Sequence, residues 1–321
     1  LINSANDVLI TAHTRPDGDA CGSVRAMCET LSDLGKTTHP VFLSPLPAWY
    51  EFMFEPAAPI LGEDITRDQL DHSPYKNCDL VIIVDTISWV QLPIFDEWLA
   101  ASERPVLVID HHITGDGLGD VQLIDTSAAA AGEIVLDLHT HADWPITPSI
   151  AESLFVALAT DTGWFRFSSA DSRIFHSAAR LIEAGATPPE IYRRLYQSVS
   201  PARMRLLARL LDHLELLCDK RLAIQHLLRS DFVETGATPR DTENMIDECQ
   251  RIGSVEAAAL LVEQPDGAFR CSLRSKTFVD VQKIASTHGG GGHKNAAGVT
   301  LPGPLQDAKR KLITEFSAQL K

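Results

Sequence analysis

Val8-Leu9-Ile10-Thr11-Ala12-His13-Thr14-Arg15-Pro16-Asp17-Gly18-Asp19-Ala20-Cys21-Gly22 decides how the chain reads. A mainly apolar run of strand length ends in a histidine, and a Pro-Asp-Gly turn follows it. From Gly22 onward, apolar residues recur at helical spacing (Val24, Met27, Cys28, Leu31, Leu34) until Gly35 closes the pattern. A buried strand passing through a polar segment into a helix is the building unit of a parallel α/β sheet. The same grammar recurs at 40–43, 80–84, 106–109 and 121–124, with helical patterns at 129–139, 149–160 and 173–183. The expected fold class is α/β: a parallel-sheet N-terminal domain with helices on both faces and a smaller α/β C-terminal domain.

The stretch 185–201 carries Pro188, Pro189 and Pro201 around one short helical turn and reads as a seam. Beyond it come an amphipathic helix at 203–217, a strand at 222–227 and a helix at 241–251. Two strands facing across Pro265-Asp266-Gly267, a short helix at 280–287, a glycine-rich loop and a helix at 305–320 complete the pattern. Over 321 residues, 45% hydrophobic and 22% charged content exclude a disordered chain. No apolar run approaches the roughly eighteen residues of a membrane span, so no membrane partner is expected. No signal-peptide pattern is visible in the opening residues. The six cysteines lack a Cys-x-x-Cys pair and suit a reducing, cytoplasmic setting. A net charge of −15 repels long duplex nucleic acid, so an anionic substrate must be small or held locally.

Four segments carry the chemistry. His13, Asp17 and Asp19 follow the first strand; Asp85 closes 80–84; Asp110-His111-His112 closes 106–109; Asp161 ends an apolar helix. In an open α/β sheet the carboxyl edge of the strands is where ligands bind. Taken singly, each Asp is equally well a helix cap or a turn residue. Together, five Asp and three His on one edge repel one another unless divalent metal sits among them. A carboxylate-rich set with imidazoles and no thiolate favours Mn²⁺ or Mg²⁺ over structural Zn²⁺. With one bridging carboxylate, two ions would lie about 3.5–4 Å apart, a spacing suited to in-line phosphoryl displacement. Phosphoester hydrolysis is the expected reaction class.

In this order, His-x-x-Pro-Asp-x-Asp, the later Asp, Asp-His-His and the last Asp resemble the motifs of the DHH phosphoesterase superfamily. That group includes RecJ-like exonucleases, family II inorganic pyrophosphatases and small oligonucleotide phosphodiesterases. The resemblance implies one ion on His13, Asp17 and Asp85, and another on Asp19, Asp85, His111 and Asp161, with Asp85 bridging. It further implies that Asp110 orients a ligand from behind and that His112 contacts the scissile phosphate or assists the leaving group. Downstream, Gly289-Gly290-Gly291-Gly292-His293-Lys294-Asn295-Ala296-Ala297-Gly298 resembles the signature of the DHH-associated C-terminal domain. A lone glycine run is more often a flexible loop. Here free N–H groups at Gly290, Gly291 and Gly292, beside His293 and Lys294, suit phosphate oxygens. Cys271-Ser272-Leu273-Arg274-Ser275-Lys276 matches the family strand that presents an Arg, so Arg274 and Ser275 join the substrate-binding candidates.

The implied organisation is a catalytic domain at 1–185, a connecting segment at 186–218 and a substrate-binding domain at 219–321. The implied activity resembles that of the nano-RNases, which degrade short RNA oligonucleotides of about two to five residues to mononucleotides. Such enzymes often also act as 3′-phosphoadenosine 5′-phosphate phosphatases, and a homodimer is expected by the same resemblance. Hydrolysis of linear or cyclic dinucleotide messengers is the enzymatic alternative. A nucleotide- or RNA-binding module with a silent catalytic half is the alternative of another class.

Other residues are set aside. His139 and His141 are read as a solvated helix end, and His39, His72, His176, His213, His226 and His288 as structural. Trp164, Phe165 and Phe167 are read as the buried face of a strand, with Arg166 and Trp89 at the rim. After Asp85, the run Thr86-Ile87-Ser88-Trp89-Val90-Gln91-Leu92 lacks the Arg that many short-oligonucleotide members carry.

Overall fold

The computed structural model describes residues 1–113 and 115–320, without the side chain of His293. The chain divides into two compact units, Leu1–Ser198 and Val199–Lys321. The first contains, in order, β1 (Asp7–Ala12), α1 (Gly18–Asp33), β2 (Thr37–Pro40), β3 (Leu80–Val84), α2 (Phe95–Ala101), β4 (Val106–Asp110) and β5 (Val121–Ile124). It continues with α3 (Ala131–Ala142), α4 (Pro148–Asp161), α5 (Ser172–Glu183) and α6 (Pro188–Tyr196).

The strands pair in the order β2-β1-β3-β4-β5, all parallel. The continuous apolar runs follow from that arrangement, because a parallel sheet is covered on both faces. Val8, Ile10, Leu80, Ile82 and Ile109 face a core shared with α1, α3 and α4. Their neighbours Leu9, Val81, Ile83 and Val108 face a second core with Phe95, Trp98 and Leu99 of α2. The chain leaves β1 for β2 on one side and returns for β3 on the other. The ends of β1 and β3 therefore form the switch point, where an open α/β sheet parts to admit a ligand. Gly22 lets α1 and α4 meet there: a Cβ would lie 2.4 Å from the Ser153 carbonyl oxygen.

The second strand differs from expectation. It is Thr37–Pro40, and Val41, Phe42 and Leu43 are buried beyond the sheet, with Phe42 bridging to Ile60. Apolarity there reports burial with one isolated bridge and not a continued strand.

The second unit holds α7 (Pro201–Asp212), β6 (Glu215–Leu217), β7 (Leu222–Leu227), α8 (Arg229–Thr235), α9 (Asp247–Gln250), β8 (Ala257–Glu263) and β9 (Phe269–Ser275). After these come α10 (Val281–Ser286), β10 (Gly291–His293), β11 (Ala296–Leu301) and α11 (Leu305–Gln319). Its sheet runs β10-β11-β9-β8-β7-β6, with β7 and β8 parallel and the other pairs antiparallel. The amphipathic helix expected to reach 217 stops at Asp212, and its tail becomes edge strand β6. The helix expected at 241–251 is broken into a 3₁₀ turn (Pro239–Thr242) and the short α9, with Asn244 between them at φ 57°. A left-handed residue cannot continue a right-handed helix.

Candidate metal centre

His13, Asp17, Asp19, Asp85, Asp110, His111, His112 and Asp161 converge at the carboxyl edge of β1, β3 and β4. Asp85 lies at the centre. It is 2% exposed and follows β3 in the left-handed region at φ 61°, which short polar side chains tolerate best. Its Oδ2 is 3.2 Å from His13 Nε2, and its Oδ1 is 3.5 Å from His111 Nε2. His111 Nε2 also faces Asp19 Oδ2 at 3.8 Å and Asp161 Oδ2 at 3.7 Å. Asp17 Oδ1 caps α1 by accepting from the amides of Asp19 and Ala20, and stands 3.9 Å from His13 Nε2. The capping role and membership of the cluster therefore coexist.

Both central imidazoles are tethered from behind. His13 Nδ1 is 2.8 Å from the Thr14 carbonyl, and His111 Nδ1 is 3.3 Å from that of Ala128. A carbonyl only accepts, so each Nδ1 carries a proton and Nε2 is the nitrogen turned toward the carboxylates. Each Nε2 faces these oxygens through a cation, either a proton on the ring or a metal ion between them. Among the described residues, buried Asp85 Oδ1 and Asp110 Oδ2 also find no hydrogen-bond partner. This donor set fits a divalent metal held by oxygen and imidazole.

Electrostatics points the same way. Burial alone would lower the imidazoles, but Asp85 and the other carboxylates lift His13 to about 9 and His111 to about 10. Burial pushes Asp161 up to about 6 and raises Asp19 as well, with the charge of Asp85 adding to both. Burial likewise opposes the Asp85 carboxylate, yet His111 and His13 hold it below its ordinary value. Without metal, the cluster must recruit protons to balance its own charge.

Asp110, fully buried, accepts from the amides of His111 and His112 and from His112 Nδ1 at 2.8 Å, all on Oδ1. That bond turns the other edge of the half-exposed His112 ring away from Asp110 and raises the imidazole above its usual range.

Sequence reading missed the floor of the site. Asp19, with no exposure, accepts from the amides of Ala131 (2.6 Å) and Gly132 (2.9 Å) at the start of α3, and from Ser23 Oγ (3.1 Å). A helix N-terminus that steadies a carboxylate is a backbone feature. Its one trace in sequence is the small-residue run Ala128-Ala129-Ala130-Ala131-Gly132. His139 is also corrected: it is 1% exposed and bonded to Thr30 Oγ1 at 2.9 Å, whereas His141 is exposed. Trp164, Phe165 and Phe167 do not form a strand. Gly163, Trp164 and Phe165 all have positive φ, and the turn stacks Trp164 on Tyr192 and Phe165 on Phe175.

In the second unit, Arg274 on β9 has Nε 3.7 Å from Asp247 Oδ1. Ser275 is 5% exposed, and its hydroxyl donates to the Val279 carbonyl at 2.7 Å, so it braces the strand end. The glycine run is partly edge strand: Gly291 pairs with Gly298 and Gly292 with Ala297. A Cβ on Gly290 would approach the Gly298 oxygen to 2.3 Å, whereas Gly291 has open space. Lys294 is exposed at the turn into β11. The His293 side chain lies outside the described residues.

The N-terminal domain of the DHH family matches residues 7–158, and the DHHA1 domain matches 220–321. The chain carries a DHH N-terminal domain followed by a DHHA1 domain. Among its relatives, the probable bifunctional oligoribonuclease and PAP phosphatase NrnA of Streptococcus mutans is 28% identical, covering 92% of this chain and 90% of that protein. The bifunctional oligoribonuclease and PAP phosphatase NrnA of Thermus thermophilus is 29% identical, covering 98% and 90%. An exopolyphosphatase-related protein from Bacteroides fragilis shares the fold with a TM-score of 0.87 at 23% identity, covering 99% of this chain and 95% of its own.

Proposed function

We propose that this DHH phosphoesterase hydrolyses short oligoribonucleotides of about two to five nucleotides to mononucleotides and also dephosphorylates 3′-phosphoadenosine 5′-phosphate. The observation that carries the chemistry is the buried Asp85 carboxylate between two imidazoles whose Nδ1 atoms are tethered to backbone carbonyls. The choice of substrate is supported by the names of the relatives, which match this chain over nearly all of its length.

In this reading His13, Asp17 and Asp85 hold one divalent ion, and Asp19, Asp85, His111 and Asp161 hold a second, with Mn²⁺ preferred and Mg²⁺ accepted. Bound there, the ions supply Lewis acidity toward the phosphate and lower the pKa of water. The chain's own residues do the rest. Asp110 fixes His112 through Nδ1, so the opposite ring nitrogen can meet a phosphate oxygen or pass a proton to the leaving group. The α3 amides keep Asp19 oriented without needing a further counter-charge. Arg274, Lys294 and the open backbone at Gly291 hold the remaining phosphate of the substrate, with Gly290, Gly292 and Ser275 shaping the strand ends beside them. Homodimerisation and a cytoplasmic site of action belong to the same reading.

The test is product analysis with Mn²⁺ on pApA, a five-residue RNA, 3′-phosphoadenosine 5′-phosphate, cyclic di-AMP and pyrophosphate. Mononucleotides from the first two, and phosphate from the third, are the expected result. Cleavage of the cyclic compound alone would move the enzyme to second-messenger turnover. Nucleotide binding without turnover of any phosphoester would leave a binding module with a silent catalytic half.

A further inference from the structure

Asp7, His39 and Cys78 form a separate cluster whose ligating atoms all lie within 4.8 Å of one another. Asp7 opens β1 and Cys78 precedes β3, so the cluster sits at the opposite end of these strands from the DHH site. The six-residue length of β1 puts about 20 Å between them. Asp7 Oδ1 is 2.9 Å from His39 Nε2 and accepts from Cys78 Sγ at 3.1 Å. Despite that proximity, His39 Nε2 is buried without an aligned hydrogen-bond partner. The backbone around the three is fixed. Asp79 accepts from the amides of Asn6 and Asp7 at 3.0 Å, and Arg104 Nε donates to the Cys78 carbonyl at 2.9 Å. The Tyr75 and His39 rings pack edge to face with centroids 5.5 Å apart.

The geometry points to a second metal site, in which Asp7, His39 and Cys78 bind a zinc-class ion through oxygen, imidazole nitrogen and thiolate. Zinc bonds of about 2.0–2.1 Å to nitrogen and oxygen and 2.3 Å to sulfur set tetrahedral ligands roughly 3.3–3.6 Å apart. The observed 2.9 and 3.1 Å need open by only about half an ångström. Thiolate with imidazole selects Zn²⁺ over the Mn²⁺ or Mg²⁺ favoured by the carboxylate-rich cluster. Three protein ligands leave a fourth position for water. Cys78 also lines a cleft of about 540 Å³ bordered by Lys76, Asp79, Trp98 and Arg104. The ion would tie together β1, β2 and the segment entering β3. Burial and the Asp7 carboxylate push the thiol well above its ordinary range. Binding therefore releases the thiol proton to solvent, and affinity rises about tenfold per pH unit below the thiol's pKa.

Cobalt is the probe, because a sulfur-to-cobalt charge-transfer band in the near ultraviolet requires a thiolate ligand. The full chain is titrated with Co²⁺ as wild type and as D85N, which disables the DHH cluster and leaves this one intact. Saturating Co²⁺ should develop the band, to the intensity of one thiolate-bound ion, in both proteins, with no band in C78S and an affinity at least tenfold weaker in H39Q. Absence of the band in wild type, or its survival in folded C78S, overturns the site. If C78S does not fold, H39Q decides: unchanged affinity there also overturns it. Loss of phosphoesterase activity in D85N alone concerns only the DHH cluster, so failures of the two readings stay distinguishable.

Discussion

Replacing Asp85 by Asn tests the electrostatic centre of the site with little backbone cost, because Asn tolerates the left-handed conformation at φ 61° about as well as Asp. At 3.5 Å and an effective dielectric near 20, the Asp85–His111 attraction is about 5 kcal/mol, or three to four pH units of titration. That matches the net rise of His111 to about 10, so Asp19 and Asp161 supply what burial takes away. The same arithmetic at 3.2 Å applies to His13, which stands at about 9. The two histidines should then part company in the variant. His111 keeps Asp161 at 3.7 Å and Asp19 at 3.8 Å and stays raised. His13 keeps only the half-exposed Asp17 at 3.9 Å, so burial prevails and it titrates at or below the ordinary value of about 6.5. Long-range ¹H–¹⁵N spectra of the imidazoles, recorded on chelator-treated protein from pH 5 to 10, read both directly. A folded state that raises a histidine gains stability that is complete below about 6.5 and fades as pH climbs through the raised value. Metal-free wild type should therefore lose stability between about pH 6.5 and 10, with a shallower loss in D85N. Hydrolysis should fall on the order of a thousandfold or more. If His13 still titrates near 9 in D85N, the assignment of Asp85 as the organising charge is wrong.

Asp110→Asn keeps an oxygen acceptor but removes the charge that steadies His112 Nδ1–H, so kcat should fall roughly 10–100-fold while Mn²⁺ affinity, followed by calorimetry, changes much less. A parallel collapse of metal affinity would instead make Asp110 a ligand. Arg274→Ala should raise KM for a dinucleotide and spare a generic aryl phosphodiester; equal loss on both would assign Arg274 to the fold or the chemistry. Gly22→Ala places a Cβ 2.4 Å from the Ser153 oxygen and 3.0 Å from Ala157, and should cost about 1–3 kcal/mol in urea unfolding by pushing α1 off α4. Unchanged stability would mean the helices part freely there.

The parts of this protein legible in sequence are those in which one residue type performs one physical task. Leu80–Val84 is apolar throughout because β3 is covered on both faces, so it announces itself as a strand of a parallel sheet. Asp85, Asp110 and His111 stand where such strands end, which suffices to gather them on one edge. Ambiguity enters where one pattern serves two tasks. The apolar 41–43 run is buried beyond the end of β2 with only an isolated bridge, and the end of the 203–217 helix pattern is an edge strand. Aromatic alternation at 164–167 belongs to a left-handed turn whose rings stack on α5 and α6.

The harder omission is the backbone's share of the site. Asp19 looks like one more ligand in the sequence, yet two amides at the start of α3, 112 and 113 residues away, fix its orientation. Thr14 and Ala128 carbonyls likewise decide which nitrogen of His13 and His111 carries the proton. None of these contributions depends on side-chain identity, so no motif can spell them. The side-chain constraint they impose is smallness: a Cβ on Gly132 would lie 2.5 Å from that of Ala157 and 3.3 Å from Asp19 Oδ1. Residue 132 must therefore be glycine for its amide to reach the carboxylate. The acidic motif and the small-residue run are thus two halves of one device, one supplying the carboxylates and the other supplying the room that orients them.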